Sequence, residues 1–95
     1  DAAYYFEEGE WDRAIGLWKK YAGDNNGKLA INARYNLALA YELKDEISMA
    51  DKWLDAAYDL ATRYRSKGDL KRIVSYQNAL DTRKKQINRL NQYQN

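Results

Sequence analysis

The chain has no cysteine and no histidine. That removes disulfides, thiolate and imidazole metal sites, and every nucleophilic or general-base scheme built on those side chains. Proline is also absent, and glycine occurs only 5 times in 95 residues, which suits helices and argues against a β-rich or collagen-like chain. No apolar run approaches the roughly 20 residues that span a bilayer, and no secretory signal pattern occurs. What is abundant is apolar and aromatic: 45% and 14% of residues. This composition predicts one folded domain over residues 1–95, with large aromatic side chains carrying its core. The first residue is Asp1, and Ala2 to Glu7 reads as the end of a helix, so the sequence reads as a fragment of a longer protein.

Residues 36–60 form the centre of the pattern: two amphipathic helical stretches meeting at a tight polar turn. Ala38, Ala50 and Ala57 alternate with Leu37, Tyr41, Trp53 and Leu54, as needed for two helices to approach to about 8–10 Å. The same spacing occurs 36 residues earlier, where Tyr5, Gly9, Trp11, Ala14 and Trp18 match Tyr41, Asp45, Ile47, Ala50 and Leu54. A period in this range marks a helical array whose units bury apolar faces mainly against their neighbours. In order, the spacing predicts a helix ending at Gly9, a second from Trp11 to Ala22 with a stripe of Trp11, Ala14, Ile15, Trp18 and Tyr21, and a loop at 23–27. A third follows over Lys28 to Lys44. A fourth starts near Ile47 and runs about a turn and a half longer than the second. Gly68 is expected to stop it, with Asp69 capping the last helix over 70–93.

Tyr-x-x-x-Gly-x-Trp-x-x-Ala-Ile-x-x-Trp from Tyr5 to Trp18, and Asn36-Leu37-Ala38-x-Ala40-Tyr41 with Ala50, Leu54 and Ala57, resemble the tetratricopeptide repeat. The first is a truncated repeat (1–23), the second a complete one (28–66). The resemblance implies an all-α fold of antiparallel hairpins in a right-handed superhelix, closed by a long C-terminal capping helix. Asp45 departs from the turn Gly of the pattern, Tyr21 from its Ala, and the closing Pro is missing. The repeat pair with its basic last helix is also similar to the C-terminal region of some uncharacterised bacterial envelope proteins, which implies a cell-envelope location.

The family binds partners on the concave face lined by the first helix of each hairpin. The pattern places Asn32, Tyr35, Asn36, Leu39, Glu42 and Leu43 there, with Ala3, Phe6 and Glu7 from the truncated repeat. The alternative is that Tyr35, Leu39 and Leu43 lie under the C-terminal helix. Of the slots that grip a terminal carboxylate in the family's chaperone-tail binders, only Asn36 matches, so that activity is not expected. Charge offers a second class of function. Residues 1–62 carry 7 basic and 12 acidic side chains, a net −5, whereas 63–95 carry 9 and 2, a net +7. Arg72, Arg83, Lys84, Lys85 and Arg89 could therefore meet nucleic acid or an anionic membrane. Those cations are spread around a helix with few aromatics, which disfavours nucleic acid, and they equally suit a solvated face complementing the acidic hairpins.

No enzyme activity, cofactor or metal site is expected. Glu7, Glu8, Glu10 and Asp12 sit at an exposed junction where nothing raises a carboxyl pKa, and Asp51, Asp55 and Asp59 read as a polar helix face. The expected function is a noncatalytic interaction or scaffolding module that docks a peptide or a neighbouring domain. Ile87 and Leu90 continue the apolar seam of Ile73, Tyr76 and Leu80. If Tyr58 and Tyr64 cover them the chain is a monomer; otherwise a second copy packs antiparallel in a weak homodimer, or an upstream domain of the parent protein fills the place.

Overall fold

A computed structural model describes residues 1–94. The chain forms α1 (Ala2–Glu7), α2 (Trp11–Tyr21), α3 (Gly27–Leu43), α4 (Ile47–Arg63) and α5 (Lys67–Gln94). No strand occurs among the described residues, and the fold class is all-α. Short turns force successive helices antiparallel, and each packs on the next. The described residues span 47 × 30 × 17 Å, and the short dimension is that of two helix layers 8–10 Å apart.

Three of the four turns are built alike. Gly9, Asp45 and Arg65 adopt φ of 81°, 64° and 52°. The amides of Glu10, Glu46 and Ser66 then each return 2.9 Å hydrogen bonds to the carbonyls of Tyr5, Tyr41 and Ala61. This left-handed C-terminal turn satisfies carbonyls that a helix end leaves open. Gly adopts it freely and Asp tolerates it, whereas Arg65 is strained there. The stop expected at Gly68 therefore falls earlier: α4 ends at Arg63, and Gly68 lies inside the first turn of α5. Ser66 takes the capping place, its carbonyl accepting from the Leu70 amide at 2.9 Å, and its hydroxyl donates to Asp69 Oδ2, three residues on, at 2.6 Å.

Small residues let the helices close. Ala14, Ala50 and Ala57 are fully buried among Leu37, Leu54 and Ile73, and each of those large side chains contributes roughly 1.5–3 kcal/mol by leaving water. Helix α3 buries seven residues, from Ala30 to Tyr41, because α2 and α4 flank it on two sides; its wide apolar coverage follows. Helix α4 has 17 residues and α2 has 11, the expected excess of about a turn and a half.

Helix α5 covers the second hairpin through Ile73 and Leu80, both buried. Gln77 reaches Asp55 and Lys84 reaches Asp51, a register that brings Ile87 beside Ile47 and Ser48. The partners expected for Ile87 were Tyr58 and Tyr64, and this is corrected: in an antiparallel pair the end of α5 meets the start of α4, not its end. Tyr64 instead lies over α3, where a Cβ on Gly27 would come within 2.7 Å of its ring. Beyond Ile87 the helix projects, leaving Leu90 60% and Tyr93 84% exposed.

Candidate functional site

The face singled out by the sequence lies on α3, between α1 and α5. Its residues 32, 35, 39 and 42 fall at helical spacing on one side, and α5 engages three of them. The Arg72 guanidinium stacks 4.3 Å over the Tyr35 ring, and Tyr76 meets that ring edge-on at 5.5 Å. Arg72 also donates through Nη2 to Asn32 Oδ1 and through Nε to Asp69 Oδ1 at 3.0 Å. At the other end of α3 the Tyr76 hydroxyl donates to Glu42 Oε1, and Arg83 donates to Glu42 Oε2 at 2.7 Å and to Asp45 Oδ1 at 2.8 Å. Lys28 completes the seam with bonds of 2.9 and 3.0 Å to the two oxygens of Asp69.

These groups are held in fixed protonation states. Burial, and then the hydrogen bond to Glu42, pushes the Tyr76 hydroxyl far above its ordinary range, so it remains a donor. Asp69 is only 2% exposed. Burial alone would raise its pKa, but the bonds from Ser66, Lys28 and Arg72 outweigh that and hold it below the ordinary carboxylate range. No buried side-chain polar atom among the described residues lacks a partner.

The remaining residues of that face fall into two groups. Phe6 packs against Trp18 with ring centroids 5.4 Å apart and belongs to the α1–α2 contact. Asn36 and Leu39 are half-buried and Leu43 is exposed. Of the basic residues, Arg72, Arg83 and Lys84 form ion pairs with Asp69, with Glu42 and Asp45, and with Asp51 and Asp81. Lys85 and Arg89 are exposed. Asp51 and Asp55 accept from Lys84 and Gln77, and no group of three or more potential metal ligands forms among the described residues.

An open site remains one helix face further round. A groove of about 210 Å³ is lined by Asp1 to Ala3 of α1, by Trp18 and Tyr21 of α2, and by Leu29, Asn32, Ala33 and Asn36 of α3. Its walls are mainly apolar, and Tyr21 and Leu29 are exposed on it. The stripe expected on α2 included Trp18 and Tyr21: Trp18 is buried, and Tyr21 is corrected from buried to exposed. The signal that could have found the groove is a length mismatch. The six residues of α1 span roughly 9 Å and the eleven of α2 roughly 17 Å, so the second half of α2 extends beyond its partner.

Fold and site together define an all-α array of hairpins with an open, mainly apolar groove at its α1 end. The chain belongs to the DUF6340 family, a domain of unknown function, whose family model matches residues 1–82. No curated protein and no solved structure matches it. Among the described residues no helix is long and apolar enough to cross a membrane.

Proposed function

We propose that the chain is a noncatalytic interaction module of the tetratricopeptide-repeat kind, docking a protein segment or neighbouring domain in the groove between α1, α2 and α3. The observation that carries this reading is the exposure of Tyr21 and Leu29 beside Trp18 and Asn36. Such a site combines apolar walls with a few polar groups, Asn32 and Asn36 among them, that can orient what docks there. Acid–base chemistry finds less support. Asp69 is held ionised and fully bonded, and Tyr76 is held protonated, so neither is poised to exchange a proton near neutral pH. Electrostatic binding of nucleic acid or membrane also finds less support, because Arg72, Arg83 and Lys84 are spent on the acidic hairpins.

Selection of short peptides from a random display library tests the proposal. The enriched peptides should carry apolar side chains and keep their affinity as salt rises. They should lose at least about tenfold, or 1.4 kcal/mol, on Tyr21→Asp or Leu29→Asp. Binders whose affinity falls steeply with salt and depends on Lys85 and Arg89 would instead support the electrostatic reading.

A further inference from the structure

The two hairpins are built on one plan, and comparing them identifies what the groove lacks. Residues 36 apart correspond: Ala14 and Ala50 are both fully buried, and Trp18 and Leu54 are both buried. One turn further along the correspondence fails. Ala57 is 0% exposed and its counterpart Tyr21 is 42% exposed. In the second hairpin the end of α4 is covered by the first half of α3. That half buries Ala30, Ile31 and Ala33, and its Arg34 reaches the Ala56 carbonyl at 2.9 Å. In the first hairpin no half-helix of the described residues covers the end of α2, and the groove lies there instead.

Resting on the docking reading above, we infer that the groove is the seat of a helical segment that runs in line with α1 and packs on the end of α2 as the first half of α3 packs on the end of α4. The groove begins at the first turn of α1 and is walled by the end of α2 and the first half of α3. It therefore continues the existing α1–α2 interface. An extended peptide would leave backbone groups facing apolar walls, whereas a helix bonds its own backbone and presents only side chains. The chemistry required is that of the first half of α3: small and aliphatic residues at the positions of Ala30, Ile31 and Ala33, with polar residues facing solvent. Continuing the helix also removes the N-terminal cap of α1, in which the Asp1 carboxylate accepts from the Tyr4 amide at 2.9 Å. Asp1 then stands at the register of Leu37.

The test is a graft on the full chain. A copy of the ten residues Gly27–Asn36, placed directly before Asp1, restores the 36-residue register. A second graft also carries Asp1→Leu, in case the carboxylate opposes burial. The control graft replaces the copies of Leu29, Ala30, Ile31 and Ala33 with Gln. At least one apolar graft should melt about 5 °C or more above the control and slow amide exchange across Trp18–Ala22 by about tenfold or more. If both apolar grafts match the control in both measurements, the inference is overturned. Library peptides that bind through Tyr21 and Leu29 would then show a groove made for a segment that is not helical, leaving the docking reading intact. If neither grafts nor peptides engage the groove, both fall.

Discussion

Replacing Asp69 with Ala should destabilise the protein by about 2–3 kcal/mol. Asp69 is the only buried charged residue in the described structure, and its carboxylate serves three donors from two helices and a turn. The hydrogen bond from the Ser66 hydroxyl ties the turn to α5 and contributes about 1 kcal/mol. The pairs with Lys28 and Arg72 are discounted because those side chains are 67% and 37% exposed. Together they contribute about 1–2 kcal/mol rather than the value of a fully buried pair. Against a total of roughly 5–15 kcal/mol for a domain, the loss should move the urea midpoint by about 1–2 M at unchanged slope, read by circular dichroism. Asp69→Asn should cost less, since the amide still accepts from Ser66. The pH dependence supplies a second reading. The folded pKa lies below the unfolded one, so the carboxylate's stabilisation is complete above the unfolded value near 4 and is lost as pH falls through the folded value. The gap between wild type and Asp69→Ala should therefore be constant from about pH 5 to 8 and shrink below about pH 4. A cost under about 0.5 kcal/mol, the level of an ordinary surface change, or a gap that widens in acid, would refute this account.

Ala50→Leu should cost about 1–3 kcal/mol through overpacking, because Ala50 is fully buried at the α4 face; an unchanged melting temperature would show that small residues there are not required for helix approach. Arg65→Gly should stabilise by up to about 1 kcal/mol, since Arg65 holds a φ of 52° that Gly adopts without strain; a lower urea midpoint would contradict that. Ile87→Ala should cost about 1 kcal/mol for a half-buried contact, whereas truncation after Asn88 should leave the melting temperature and the monomeric mass in light scattering unchanged. The reverse pattern would mean that Leu90 and Tyr93 pack against a second copy.

Most of the fold was legible because helix faces and breakers are local signals. The 36-residue spacing, the alternation of Ala with Leu and Trp, and Gly9 were sufficient to place both ends of α2 and α3, the end of α1 and the start of α4 within a residue or so. The misplaced stop between α4 and α5 has a definite cause. Asp45 and Arg65 occupy turn positions where Gly would be the visible marker, and a non-Gly residue in the left-handed region carries no sequence flag. Gly68 was the nearest conventional breaker, three residues late, and the cap followed it to Asp69, although Ser66 is spaced from Asp69 as a capping box requires. The partners of Ile87 were misread for a different reason: α4 and α5 both outrun α2, but antiparallel helices align at their shared turn, so their excess lengths do not meet.

The candidate site was legible as a face and not as an occupancy. Periodicity showed that Asn32, Tyr35 and Glu42 share one side of α3, but the partners that engage them, Arg72, Tyr76 and Arg83, are about 40, 41 and 41 positions along the chain, as in the Asn32–Arg72 and Glu42–Arg83 bonds. Those positions carry net charge of opposite sign to the hairpins, and that asymmetry was the available clue: an acidic pair of hairpins followed by a basic helix predicts a helix that folds back. Once α5 has engaged the face from its side, apolar walls remain open on α3 toward α1, where Leu29 and Ala33 face Tyr21 and Trp18. The capping helix thereby gives the array a direction. On the α5 side of α3 lies a polar seam in which every described buried side-chain donor and acceptor is satisfied, and on the α1 side lies open apolar surface. Docking is accordingly expected at the α1 end, and substitutions that disrupt the α5 seam, such as Arg83→Ala, should change stability without changing which peptides the groove selects.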